Sequence, residues 1–233
     1  MSMLLILPGL MCDSRMFAAQ IDAFPGAVAV DGFYDGCDRI EAMADYALAR
    51  APERFALFGH SMGARVALEV IRKAPERVER IALADTGIHP VKPGEQEKRH
   101  ALRDIGRAQG MAALVDAWLP PMVGPGNRGD DALMAALRAM SLSAGQAGFE
   151  RQIEALLHRP DTDAALRGIA VPAFAIVGDA DEWSPVDQHA AMAEKIPGAQ
   201  LRVVEGAGHM APAEKPHQFN QILREWLDWP LAS

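Results

Sequence analysis

The stretch Phe55-Ala56-Leu57-Phe58-Gly59-His60-Ser61-Met62-Gly63 decides how the rest of the chain reads. An apolar run ends on glycine, a serine follows two residues later, and a helical pattern begins at once. That pattern runs from Met62 to about Lys73 and stops before Pro75. G-x-S-x-G where a strand turns into a helix is an elbow that lifts a serine hydroxyl clear of a sheet. The turn strains the dihedrals of Ser61, and the flanking glycines leave room for a neighbouring strand and helix. It also aims the Met62 amide at the same point, at the positive end of a helix dipole. The chain has serines at 2, 14, 61, 141, 143, 184 and 233, and only Ser61 stands on such a turn.

Outward from the elbow, short apolar runs alternate with amphipathic stretches, the pattern of a parallel sheet covered by helices. Strands are expected at Met3–Leu7, Ala27–Val30, Arg54–Phe58, Val78–Ala84, Val171–Val177 and Gln200–Val204. The unbroken apolar character of the first fits burial on both faces. Helices are expected from Asp13 or Ser14 to about Phe24, from Asp38 through Arg50, from Pro185 to before Pro197, and from about His217 to Trp229. Residues 88–167 carry no strand pattern. Glu95–Ala108, Met111–Trp118, Asp130–Met140 and Gln146–His158 all read as helices. The expected organisation is one α/β core, 1–87 with 168–233, and a helical cap inserted at 88–167 that is not an independent domain.

A serine hydroxyl is a weak nucleophile until a base takes its proton. His209, in Gly206-Ala207-Gly208-His209-Met210, follows the sixth strand and so falls on the sheet edge where Ser61 emerges. The other six histidines have no such placement. An imidazole base needs an acid to fix its tautomer. Asp181, in Gly178-Asp179-Ala180-Asp181-Glu182-Trp183-Ser184-Pro185, follows the fifth strand. Asp179 and Glu182 compete nearby, and Asp85 at the end of the fourth strand is a geometric alternative. The second donor to a developing oxyanion belongs in the turn after the first strand, Pro8-Gly9-Leu10-Met11, with the Leu10 amide first and Met11 second.

The whole-chain numbers narrow the function classes. Half of the 233 residues are apolar and 23% are charged, which suits a folded globular chain. A net charge of −8 with no basic stripe argues against nucleic acid and anionic membranes. No apolar run approaches the ~20 residues of a membrane helix. The N-terminus lacks a basic region and a cleavage site, so it reads as a strand and not as a leader. Cys12 and Cys37 read as small buried hydrophobes in a reducing cytoplasm. No metal-ligand spacing occurs, so neither metal nor cofactor is expected.

The motifs GHSMG, GDADEWSP and GAGHMAPAEKP together resemble the α/β-hydrolase superfamily, in its branch of small serine esterases and lactonases, and the resemblance covers the whole chain. It implies Ser61 as nucleophile, Asp181 as acid and His209 as base, with the Leu10 and Met62 amides as the oxyanion hole. Two departures stand out. Relatives usually have His-Gly where this chain has Pro8-Gly9, and many begin with an antiparallel strand pair, whereas this chain starts on the buried strand. A six-stranded core is therefore expected.

The resemblance implies acyl transfer on a small, mainly apolar carboxylic ester, lactone or thioester. Carbon–carbon hydrolysis and cofactor-free haloperoxidation use the same triad. A non-catalytic binding protein on this fold is the reading from another class. Substrate contacts are expected from Met11, Trp118, Met122, Phe149, Trp183 and Met210, with the Met-rich insertion forming a deformable apolar pocket. Arg128, Arg151 and Arg159 read as solvated surface residues, which favours an uncharged ester. The expected partner is a small molecule; a homodimer is left open.

Overall fold

A computed structural model describes residues 3–230. Six strands form one sheet: β1 (Leu4–Leu7), β2 (Val28–Ala29), β3 (Phe55–His60), β4 (Val78–Ala84), β5 (Ala173–Gly178) and β6 (Gln200–Val204). Their order is β2-β1-β3-β4-β5-β6, and every neighbouring pair is parallel. The inner strands LLIL, FALFGH and AFAIVG are buried at every position, as strands with helices on both faces must be. The edges differ. β2 has two residues, and β6 (QLRVV) is half-exposed along most of its length.

Helices α1 (Ala18–Ala23), α2 (Ile40–Leu48), α3 (Met62–Lys73), α9 (Val186–Lys195), α10 (Ala211–Glu214) and α11 (Pro216–Asp228) belong to the alternating core. Between β4 and β5 the chain builds α4 (Glu95–Gln109), α5 (Met111–Trp118), α6 (Asp131–Ser143), α7 (Gly145–Leu157) and α8 (Asp163–Arg167). Most elements fall where the hydrophobic pattern puts them; α3, α5, β4 and β6 match to the residue. Three details differ. β3 runs two residues beyond Phe58, because Gly59 and His60 pair with Leu83 and Ala84 of β4. The first helix opens as a 3-10 turn at Ser14–Phe17, with the Asp13 side chain accepting the Arg15 amide. The short helices α8 and α10 are too brief to leave a periodic signal.

The sheet and α3 meet with no space to spare. A Cβ on Gly63 would lie 2.0 Å from the Leu7 carbonyl oxygen, and one on Gly59 2.6 Å from the Ala64 Cα. Glycine at both positions is what lets α3 leave β3 at this angle. Beneath them Phe58 packs between Phe17 and Phe219, with ring centroids at 5.7 and 5.4 Å. Truncating a ring in such a cluster costs about 3–5 kcal/mol. No helix among the described residues is long and apolar enough to cross a membrane.

Candidate active site

Ser61 sits at the turn from β3 to α3 with φ 54° and ψ −117°. A non-glycine residue holds such a conformation only where its surroundings impose it. Here the Ser61 amide donates to the Ala84 carbonyl at 2.8 Å, and the Thr86 hydroxyl donates to the Ser61 carbonyl at 3.0 Å. β4 therefore clamps the elbow from one side. On the other side, a Cβ on Gly9 would lie 2.9 Å from His60 Nδ1 and 3.0 Å from Ser61 Cβ, so the loop after β1 lies directly against the elbow.

His209 Nε2 lies 2.8 Å from Ser61 Oγ, and its Nδ1 lies 2.8 Å from Asp181 Oδ2. The other Asp181 oxygen accepts the Trp183 and Ser184 amides at 2.8 and 3.0 Å. Burial works to raise the Asp181 carboxyl. The charge and hydrogen bond of His209, with the two amides, outweigh it and hold the pKa down to about 2. The group is ionised at neutral pH and fixes the ring through Nδ1. The His209 amide donates to the Met122 carbonyl at 2.8 Å.

Of the competing acids, Asp179 accepts the Gly206 amide at 2.8 Å and so shapes the histidine loop. Asp85 is fully buried and accepts the Gly178 amide at 3.0 Å. Its other oxygen is 3.8 Å from His60 Nε2, which donates to the His209 carbonyl at 2.7 Å. Burial, reinforced by the Asp181 charge, holds the Asp85 carboxyl well above the usual carboxylate range. Burial, then the charge of His209, pushes the His60 pKa down to about 3. The two are neutral neighbours beneath the site.

In the loop after β1, the Met11 amide donates to Gln152 Oε1 at 2.9 Å. Met11 has φ 55° and is fully buried. Among the described residues the Leu10 and Met62 amides donate to no protein group. That separates the two candidates: Met11 is spoken for and Leu10 is free. Pro8 stands where a histidine is usual, and its carbonyl accepts the Tyr34 hydroxyl at 2.8 Å.

A cavity of about 540 Å³ opens over Ser61 and His209, within the range of small-molecule sites. Leu10 and Met62 line it from the core, and Trp118, Met122 and Phe149 line it from the segment between β4 and β5. Trp183 and Met210 contribute from the acid and histidine loops, with Trp183 47% exposed. Met11 does not line it. The expectation that Met11 touches substrate is corrected by its burial beneath the loop.

Sequence reading missed several residues. The Glu214 carboxyl accepts the Gly208 amide at 3.0 Å, the Met210 amide at 3.0 Å and the Gly124 amide at 2.8 Å. It ties the histidine loop to the segment after α5. Gln152 and Tyr34 hold the loop after β1. Arg128 and Arg151 are exposed as expected, but the Arg159 side chain is only 5% exposed and is paired with Glu95. No single-residue signal marks these contacts: Gln152, Tyr34 and Arg159 have partners distant in sequence, and the Glu214 bonds to Gly208 and Met210 are local but carry no periodic pattern. Among the described residues, no three His, Cys, Asp or Glu side chains cluster where they would hold a metal ion.

A six-stranded parallel sheet with a serine elbow after its central strand defines the α/β-hydrolase class of folds. The chain belongs to the Alpha/beta hydrolase family, whose sequence model matches residues 4–222. It is similar to a putative 2-succinyl-6-hydroxy-2,4-cyclohexadiene-1-carboxylate synthase of Bacillus subtilis, 26% identical over 73% of this chain and 65% of that one. It is also similar to a putative carbamate hydrolase of Klebsiella pneumoniae, 28% identical over 75% of this chain and 66% of that one. The chain thus spans just under two thirds of these relatives' lengths. Among solved structures, a thermophilic esterase from Thermogutta terrifontis superposes with a TM-score of 0.85 at 28% identity, covering 97% of this chain and 89% of that one.

Proposed function

We propose that this chain is a serine hydrolase that cleaves a carboxylic ester through Ser61, His209 and Asp181. The observation that carries the reading is the unbroken relay from Ser61 Oγ to His209 Nε2 and from His209 Nδ1 to Asp181, both links at 2.8 Å. The similarity to a solved esterase supports it.

In this reading Ser61 Oγ attacks the ester carbonyl carbon while His209 Nε2 takes its proton. The Leu10 and Met62 amides hold the oxyanion of the tetrahedral intermediate. A well-aimed donor of this kind lowers the barrier by roughly 3–4 kcal/mol. His209 returns the proton to the departing alkoxide, which leaves as an alcohol, and the acyl group stays on Ser61. Water, deprotonated by His209, then releases the acid and restores the serine. Asp181 stabilises the imidazolium at both steps. The helices between β4 and β5 act as a cap over the cavity, and Trp118, Met122, Phe149, Trp183 and Met210 contact the substrate.

The test is turnover of p-nitrophenyl butyrate together with labelling by a fluorophosphonate. Ser61→Ala is expected to abolish both in a protein that still folds. Turnover undiminished in that variant sinks the assignment, as does a folded wild type that the probe leaves unlabelled.

A further inference from the structure

The wall of the same cavity carries a cluster of cations that the triad does not use. Arg65 follows Ser61 by one helical turn on α3. Side chains on a helix tilt toward its N-terminus, so the guanidinium is carried back to the cavity that it lines. Arg65 is only 8% exposed. Its Nη2 donates to the His89 carbonyl at 3.0 Å, and its Nη1 is buried with no partner.

Two more arginines stand beside it. Arg159 Nε donates to the same His89 carbonyl at 3.1 Å, and its Nη1 and Nη2 donate to the two Glu95 oxygens at 2.6 and 2.7 Å. Arg99 donates to Glu95 Oε1 at 3.0 and 2.8 Å. Burial works to raise the Glu95 carboxyl, but the hydrogen bonds of Arg159 and Arg99 hold it down to about 2. One carboxylate is thus divided between two arginines, and none is left for Arg65. Lys92 and Lys98 line the same cavity, where the cations outnumber the carboxylates of Glu95 and Glu182 and leave a positive field. This is a local reversal of sign in a chain of net charge −8.

A guanidinium stays protonated in proteins, and an unpaired buried charge is costly. Burial and the neighbouring Arg159 charge already disfavour the Arg65 cation, pushing its pKa down to about 9. A carboxylate arriving with the substrate is the missing partner, because guanidinium and carboxylate match in charge and in planar geometry.

We propose that Arg65 is a specificity-determining residue that binds a free carboxylate on the substrate, so that the site takes hemiesters of short dicarboxylic acids in preference to neutral esters. The proposal rests on Ser61 being the nucleophile. It replaces the uncharged ester expected from sequence, which followed from reading Arg159 as solvated. The Leu10, Phe149 and Trp118 side chains supply the apolar part of the wall, and Arg65 supplies the charge.

The experiment compares monomethyl succinate, glutarate and adipate with the methyl esters of the neutral acids of equal chain length. Wild-type kcat/KM is expected to favour the hemiester of best length by about 10-fold or more, chiefly through KM. In Arg65→Gln that ratio is expected to collapse toward one, with Arg65→Lys in between. Glutarate should inhibit hydrolysis competitively and bind in calorimetry, while its neutral diamide should do neither. The glutarate arm needs only wild-type protein, so it tests the anion subsite even if Arg65 variants fail to fold; a hemiester preference kept in folded Arg65→Gln overturns the assignment to Arg65. Neutral esters cleaved as well as hemiesters, with glutarate inert, overturn the subsite and leave the serine hydrolase reading standing. Glutarate binding without turnover of any ester, and without labelling of Ser61, overturns the hydrolase reading and leaves the anion subsite standing.

Discussion

Gln152 on α7 accepts the Met11 amide at 2.9 Å across 141 positions of sequence. This one bond joins the helical segment between β4 and β5 to the loop that follows β1. It holds Met11 in a left-handed conformation and leaves the Leu10 amide without a protein partner. In the proposed reaction position 152 therefore acts on the oxyanion loop without touching the reacting atoms.

Gln152→Ala leaves the Met11 amide buried and unpaired, at a cost of about 1–3 kcal/mol. Because the loop carries the proposed oxyanion donor, kcat is expected to fall by roughly 10-fold with KM little changed. Gln152→Glu keeps the acceptor but buries a carboxyl at a site 1% exposed, so it should recover only part of kcat. Steady-state kinetics with thermal melts checks this. Full kcat in Gln152→Ala would mean that the Tyr34 bond to Pro8 suffices to hold the loop.

Two aspartates end neighbouring strands, and only one reaches His209. Asp181→Asn is expected to lower kcat by on the order of 10³-fold or more, because an amide can hold the wrong imidazole tautomer. Asp85→Asn keeps an oxygen for the Gly178 amide and replaces a carboxyl that burial already keeps protonated. Its effect on kcat should stay below about 10-fold. Reversal of these two magnitudes moves the acid to β4.

Glu214 serves three backbone amides, those of Gly124, Gly208 and Met210. Glu214→Ala strips all three of their acceptor, for a loss of roughly 3 kcal/mol or more and a Tm lower by on the order of 10 °C. Since Gly208 and Met210 flank His209, kcat should fall too. Calorimetry against p-nitrophenyl butyrate turnover measures both. A variant as stable as wild type would show that water replaces the carboxyl without loss.

His189 is fully buried and accepts the Thr86 amide at 2.9 Å. Burial pushes its pKa from 6.5 down to about 4. The unfolded chain takes up this proton as pH falls below 6.5, and the folded chain resists until about 4. The stability associated with the neutral ring is thus intact above 6.5 and is lost as pH falls toward 4. His60 acts in the same direction, and Asp85, protonated when folded, opposes them. Between these pH values the slope of unfolding free energy should be smaller in His189→Gln by about one proton, or about 1.4 kcal/mol per pH unit. Denaturant titrations at pH 7, 6 and 5 give the slope, and identical slopes refute it.

The sequence by itself determined the sheet, the elbow with Ser61, the placement of His209 and a short set of acids headed by Asp181. Ser61, Asp181 and His209 each follow a strand of one parallel sheet, so their meeting at one edge is a consequence of topology, legible in the order of apolar runs and glycine turns. Periodicity also located α3, α5 and β6 to the residue. Tertiary structure alone decided the rest. Asp181, preferred in sequence, and Asp85, its alternative, both follow strand ends, and the fold turns the Asp181 carboxyl to His209 and buries that of Asp85 against the Gly178 amide. Leu10 and Met11 are adjacent amides, separated only by Gln152 arriving from a distant helix. Arg159 looks like any arginine just past a helix end until the fold turns it inward to Glu95, beside an Arg65 left without a carboxylate. Strand and helix patterns are local and survive in a linear reading. Hydrogen-bond and charge partnerships between residues about 30 to 140 positions apart do not, because they exist only once the core has packed and excluded water.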